Sequence, residues 1–154
     1  KDEGDGYSIA LQILDSSRIM IAAQCVGLAQ GAMNAALDYS KQRRTFNKPI
    51  SQHQSISFML ADMATELDAA RLMTWRAAKR HDEGLTYSKE AAMAKLFSSE
   101  VCGRVVDKAL QIHGGTGYFK PSIVERMYRD QRVTEIYEGT SEIQRLVISR
   151  AILK

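Results

Sequence analysis

The stretch whose reading decides the fold is Asp15–Arg43, DSSRIMIAAQCVGLAQGAMNAALDYSKQR. Ile19, Ala22, Val26, Ala29, Met33, Ala36 and Leu37 recur at the spacing of one helix face, so the segment reads as a long amphipathic helix. Asp15 or Ser16 is expected to cap it, and it should run to about Gln42 or Arg43. Gly27, Gly31, Ala32 and Ala35 make parts of this helix thin, which lets a neighbour approach closely.

Working outward, the same periodicity returns. The two prolines, Pro49 and Pro121, both stand between helical patterns. A second helix is expected from Ser51, with Gln54 closing a capping box, to about His81 through Ile56, Met59, Leu60, Met63, Leu67, Ala70 and Trp75, and Gly84 marks its end. A third begins near Ser88, carries Ala91, Ala94, Phe97, Val101, Val105, Ala109 and Ile112, and is halted by Gly114-Gly115. A shorter helix follows Pro121, with Ser122 and Glu125 as its cap. Nothing alternates with period two, so no sheet is expected. Long helices on short connections favour antiparallel neighbours, which predicts an all-α, up-down-up-down four-helix bundle with a short extra helix before the last one. Residues 15–154 form that bundle and residues 1–14 lead into it. The opening Lys1-Asp2-Glu3-Gly4-Asp5-Gly6 resembles a linker, and the chain reads as a piece of something larger.

Composition narrows the chemistry. The formal net charge is +3 over 154 residues, but basic and acidic residues alternate, so a nucleic-acid surface is not expected. Cys25 and Cys102 fall within helical patterns without CxxC spacing and read as free, buried thiols in a reducing compartment. No apolar run approaches the ~20 residues of a membrane span, and no signal or transit pattern opens the chain. None of His53, His81 and His113 stands in a Glu-x-x-His pair, so no metal centre is expected. P-loop, nucleophile-elbow and HExxH patterns are missing as well. Gly114-Gly115-Thr116-Gly117 follows a helix and not a strand, which favours a helix stop over a phosphate loop. Tyr39, Phe46 and Tyr118, near helix ends, suit core closure and ligand contact equally.

Chemistry concentrates in Ile136-Tyr137-Glu138-Gly139-Thr140-Ser141-Glu142-Ile143-Gln144. Gly139 permits a sharp turn, and Thr140 or Ser141 then caps a last helix, Ser141 with Gln144 fitting a capping box. That helix should reach about Leu153, with Ile143, Leu146, Val147 and Ile152 toward the core. Glu138 therefore has a direction fixed by its flanks. On its own it reads as a base or as a solvated turn carboxylate near a helix dipole.

Four segments recur together in one order: Gln42-Arg43-Arg44-Thr45-Phe46, Gln52-His53-Gln54, Gln111-Ile112-His113-Gly114-Gly115-Thr116-Gly117-Tyr118 and Tyr137-Glu138-Gly139-Thr140-Ser141. The set strongly resembles the acyl-CoA dehydrogenase family. The resemblance covers essentially the whole chain and matches only that family's C-terminal helical domain, not its N-terminal helical or middle β-domain. Short- and branched-chain members look closest.

The resemblance implies a flavoprotein oxidoreductase of fatty-acid β-oxidation. In such enzymes FAD takes a hydride from the substrate β-carbon while a glutamate removes the α-proton, leaving a trans-2-enoyl-CoA. Glu138 matches that base by motif, and a carboxylate desolvated between flavin and thioester becomes a stronger base. The amide of Glu138, with a flavin ribityl hydroxyl, would bind the thioester carbonyl. Other members carry the base on the first helix, where the matching position here is Ser17, which favours Glu138 and argues against the isovaleryl-type subgroup. Arg43 resembles an arginine that reaches the pyrophosphate of an FAD held mainly by a neighbouring subunit. Phe46 would wall the dinucleotide and Gln54 hydrogen-bond it. Gln111, Ile112, His113, Gly114 and Gly115 would lie near the adenosine, and Thr140, Ser141 and Glu142 would add further FAD contacts. Tyr7, Asp15, Ser16, Ser17, Arg18 and Gly139 match acyl-CoA contacts.

Bland readings stand beside these: Arg43 as a helix-end cation, Asp15 as an N-cap, Thr140 to Glu142 as capping residues. The family also implies an electron-transfer flavoprotein as acceptor, a homodimer or homotetramer, and a bacterial cytoplasm or mitochondrial matrix. The chain alone is expected to be inactive. Two alternatives remain: a non-catalytic oligomerisation or docking bundle, and acyl-CoA oxidase chemistry on the same fold.

Overall fold

A computed structural model describes residues 3–154; Lys1 and Asp2 of the expected linker lie outside the described residues. Six α-helices follow in order: α1 (Gly6–Gln42), α2 (Gln54–Asp82), α3 (Ser88–His113), α4 (Gly115–Tyr118), α5 (Ile123–Arg132) and α6 (Ser141–Ile152). Helix α3 is the centre. It packs on α1, α2, α5 and α6, while α1 also meets α2 and α5. The all-α expectation holds, with α5 as the short extra helix before the last.

Helix α1 begins at Gly6, so Asp15 and Ser16 are interior residues and not its cap. The expected start placed weight on a capping residue, yet Tyr7 to Leu14 is a run without proline that the helix simply includes. Asp15 finds a different partner, an ion pair with Arg18 one turn on, 2.6 Å away. Helix α2 also starts later than expected. Ile50–Gln52 form a 3-10 turn and His53 is extended, so the Ser51–Gln54 capping box does not form. Between α1 and α2 lies the one departure from an all-helical chain among the described residues, a ladder of β1 (Arg44–Thr45) and β2 (Lys48–Pro49). Phe46 and Asn47 turn it with φ of 49° and 64°, the left-handed pair of a tight two-residue hairpin. Strands of two residues leave no alternation to read.

The core is built on the small side chains of α1. Ala22, Cys25, Ala29, Ala32 and Ala36 are all buried there, which brings α3 close enough for Val101, Val105 and Val106 to fill the seam with Met63 and Leu67 of α2. Cys25 and Cys102 are buried free thiols, hydrogen-bonded to each other so that Cys25 is held low and Cys102 high. Two expected core residues stay outside. Trp75 is 62% exposed, and on α6 Ile143, Leu146 and Ile152 face outward while the buried side is Ser141 and Gln144. One further expectation needs correction. Contrary to the reading of no span-length run, α1 is long and apolar enough to cross a membrane by length and composition, through the uncharged stretch from Ile19 to Leu37. Its buried stripe is taken up by α3 and α2.

The close seam makes a definite demand. Ala32→Leu inserts three carbons where the native residue has no exposure, and is expected to destabilise the fold by about 1–3 kcal/mol. Denaturant unfolding measures it, and an unchanged midpoint would contradict the tight seam.

Candidate functional site

The site is built around a backbone conformation. After α5, Val133–Glu135 continue as a 3-10 turn, and the amides of Ile136 and Tyr137 both donate to the Val133 carbonyl. The chain then reverses through Glu138 at φ 55° and Gly139 at φ 91°. A left-handed Glu costs about 1–2 kcal/mol, so something must hold it. Gln144, fully buried on α6, donates through Nε2 to the Glu138 carbonyl at 3.1 Å and to the Gly139 carbonyl at 2.8 Å. The Gly139 carbonyl also accepts from Nζ of Lys95, 2.8 Å away on α3. Thr140 caps α6 by accepting from the Ile143 amide. Ser141 is therefore not the cap, and Gln144 reaches past the helix start instead of closing a box.

These anchors aim Glu138 at α1. Its Oε2 accepts from the Ser17 hydroxyl at 2.6 Å; the same hydroxyl lies 3.1 Å from the Leu14 carbonyl, and the charge-assisted bond is the stronger. Arg18, buried beside Ser17, is committed to Asp15 and not to Glu138. The Glu138 amide donates to no acceptor among the described residues. Buried polar groups without a partner gather nearby: Ser141 Oγ, Gln144 Oε1 and Arg18 Nε. Glu142 is exposed, and its carboxyl is held below the usual range by its own amide, the Thr140 hydroxyl and the cations Arg145 and Arg132. Burial pushes the Lys95 ammonium to a lower pKa, with Arg18 adding to that shift and Cys25, Glu135 and Glu138 opposing it.

A second cluster lies at the other end of α1. A cleft of about 470 Å³ is lined by Tyr39, Arg43, Thr45, Ile50, Ile112, His113, Gly114, Gly115, Thr116 and Phe119. Arg43 is exposed there, and its guanidinium makes no hydrogen bond or ion pair with a described residue. Nothing stands within 4 Å of where a Cβ on Gly114 or Gly115 would be. His113 stacks on Tyr39 with centroids 4.4 Å apart and binds the Ala109 carbonyl through Nδ1.

The structure thus sorts the candidate residues into two groups. Ser17 and Arg18 join Glu138, Gly139, Thr140, Ser141 and Glu142, with Asp15 and Ser16 one turn back on α1. Arg43, Ile112, His113, Gly114 and Gly115 share the cleft. At ~1.5 Å per residue, Ser17 and Arg43 are about 39 Å apart along α1. Tyr7, Phe46, Gln54 and Gln111 join neither group. Tyr7 is exposed at the start of α1, Phe46 is 90% exposed with its ring against His53, Gln54 opens α2, and Gln111 is exposed beside the cleft. Lys95 and Gln144 were missed as site residues. A cation four places from Ala91 on the buried stripe of α3 was the available signal for Lys95; for Gln144 the capping pattern hid its reach.

Comparison with known proteins gives consistent results. The family described as acyl-CoA dehydrogenase, C-terminal domain, matches residues 4–153. The chain is 52% identical over 153 residues to short-chain specific acyl-CoA dehydrogenase of Bos taurus, covering 99% of this chain and 37% of that protein. It is 51% identical over 149 residues to caffeyl-CoA reductase-Etf complex subunit CarC of Acetobacterium woodii, covering 97% and 39%. Butyryl-CoA dehydrogenase of Megasphaera elsdenii superposes with a TM-score of 0.98 at 46% identity, covering 99% of this chain and 40% of that one. The chain therefore spans about two fifths of the length of the relatives it matches.

Two measurements test the turn. A Cβ on Gly139 would stand 2.7 Å from Gln144 Nε2 and 3.3 Å from Ile143 Cγ2 at a φ of +91°, so Gly139→Ala is expected to lower stability by about 1–3 kcal/mol; an unfolding midpoint like the wild type's would refute it. Lys95, with its pKa lowered by burial, leaves the folded state with fewer bound protons than the unfolded state between that lowered value and the ordinary lysine pKa of ~10.4. Its share of stability therefore rises with pH across that alkaline window. Lys95→Met is expected to flatten the rise, and an identical slope in the two proteins would show that the ammonium is not penalised.

Proposed function

The chain belongs to the acyl-CoA dehydrogenase family as a C-terminal domain, and we propose that it carries Glu138 as the base in α,β-dehydrogenation of an acyl-CoA thioester. The observation that carries this reading is the turn itself: a left-handed Glu138 with both carbonyls of the turn occupied and its own amide undonated. The carboxylate takes the α-proton as the carbon–carbon double bond forms. The adjacent free amide donates to the thioester oxygen where negative charge develops. FAD, when bound, would supply the acceptor for the hydride that leaves the β-carbon. The Ser17 hydroxyl holds the carboxylate on the α1 side of the turn.

Residues of this chain fit that cofactor in two half-sites. The unpaired Arg43 guanidinium and the open glycines of the cleft suit phosphate and a close-lying dinucleotide. At the far end, Ser141 Oγ offers a buried hydroxyl without a partner at the start of α6. Their separation of about 39 Å along α1 supports a site completed between copies, Arg43 of one serving the flavin beside Glu138 of another, hence a homo-oligomer. An electron-transfer flavoprotein as partner is supported by the Etf complex named for CarC. That same relative is named a reductase, which favours a second reading on the same residues: run in reverse, a protonated Glu138 gives its proton to the α-carbon of an unsaturated thioester, and reduced FAD, when bound, would supply the hydride for the β-carbon.

In the full-length parent, Glu138→Gln is expected to lower turnover about 10²–10⁴-fold in either direction, measured with saturating acyl-CoA and with the corresponding enoyl-CoA. Turnover like the wild type's would remove Glu138 from the chemistry. Arg43→Ala is expected to weaken FAD retention about tenfold or more while turnover per bound flavin holds; undiminished retention would take Arg43 out of the cofactor site.

A further inference from the structure

Lys95 has no exposed surface, and burying an ammonium is expensive unless it is well paired. Its surroundings on α3 are the small residues Ala91, Ala92, Ala94, Ser98 and Ser99, all buried. A methionine would fill the same volume without that cost. The charges around it come from every element it meets: Cys25 and Arg18 on α1, Glu135 on the 3-10 turn, and Glu138. Its one hydrogen bond among the described residues is to the Gly139 carbonyl at 2.8 Å. Gln144 reaches the same oxygen from α6, also at 2.8 Å. One carbonyl is thus clamped from two helices, directly after a residue held at φ 55°.

We infer that Lys95 is a positioning residue for the proposed base, its buried amine fixing the Gly139 carbonyl so that the Glu138 carboxylate and amide keep the directions proton abstraction needs. The inference rests on Glu138 being that base. Gln144 reaches both carbonyls of the turn, but it lies on a helix whose other buried residue is only Ser141. Lys95 ties the turn instead to α3, the helix packed against all the others named. It transmits the rigidity of the core to the reacting group.

The test uses the full-length, FAD-loaded parent with Lys95→Met, Lys95→Gln and Glu138→Gln. Flavin content, thermal unfolding, kcat, KM and amide exchange across residues 138–140 are measured for each. Lys95→Met is expected to keep flavin content and a wild-type or higher melting temperature, while kcat falls about 10–100-fold, KM stays within about twofold, and the turn amides exchange faster. Lys95→Gln, which keeps a donor on a shorter stem, is expected to fall between Met and wild type, and it carries the same comparison if the Met variant does not fold. Wild-type kcat and exchange in the Lys95 variants, with Glu138→Gln inactive, would overturn the role of Lys95 and leave the base standing. A kcat loss that only tracks lost flavin or unfolding would also overturn it, assigning Lys95 to the fold. Active Glu138→Gln would overturn the base and the positioning role together.

Discussion

The approach of α1 to α3 is the constraint on which the site depends. Alanines at positions 22, 29, 32 and 36, with Cys25, leave little side-chain bulk on the α1 side of the seam. Ser17 and Arg18, further along the same helix, are thereby set against the turn, and Lys95 of α3 is set beneath it. A wider seam would separate the Ser17 hydroxyl from Glu138 and Lys95 from the Gly139 carbonyl at the same time. Core packing and site geometry are one arrangement here, so small residues on a long helix have a consequence beyond the hydrophobic energy they contribute.

The turn stores a conformation that its own sequence does not favour. Gly139 tolerates its positive φ, but Glu138 does not, and capping by Thr140 stabilises only the helix that follows. Hydrogen bonds from Gln144 and Lys95 to the two carbonyls supply what is missing. Preorganisation of this kind is where catalytic positioning comes from, since a base need not be drawn into place during the reaction. The buried groups left without partners at Ser141, Gln144 and Arg18 lie around the same turn.

Sequence reading found much of this and missed the rest for physical reasons. Gly84 and Gly114 stop helices as expected, both at positive φ, because a glycine at a helix end has few other uses. Ser88 opens α3 where the apolar stripe begins. Starts judged by capping residues failed at Asp15 and Ser51, since a side chain able to cap is equally able to pair with Arg18 or to sit in a 3-10 turn, whereas the start of α6 fell where expected with Thr140 as its cap. On α6 the side that packs on α3 carries Ser141 and Gln144, and Ile143, Leu146 and Ile152 lie on the exposed side. Glu138 and Arg43 were singled out through motif resemblance, whereas Lys95 reaches across 44 positions to a backbone oxygen, a contact that no local pattern records.

On the proposed function, the division of the site into two ends of α1 puts Glu138 at the chemistry and Arg43 toward the cofactor of another copy. A crystal structure of the full-length parent with FAD and a non-reactive acyl-CoA analogue tests this most directly. A Glu138 carboxylate oxygen is expected about 3–3.5 Å from the α-carbon, with the Glu138 amide on the thioester oxygen and Arg43 of a neighbouring copy at the pyrophosphate. Another carboxylate beside the α-carbon, with Glu138 turned away from it, would contradict the account.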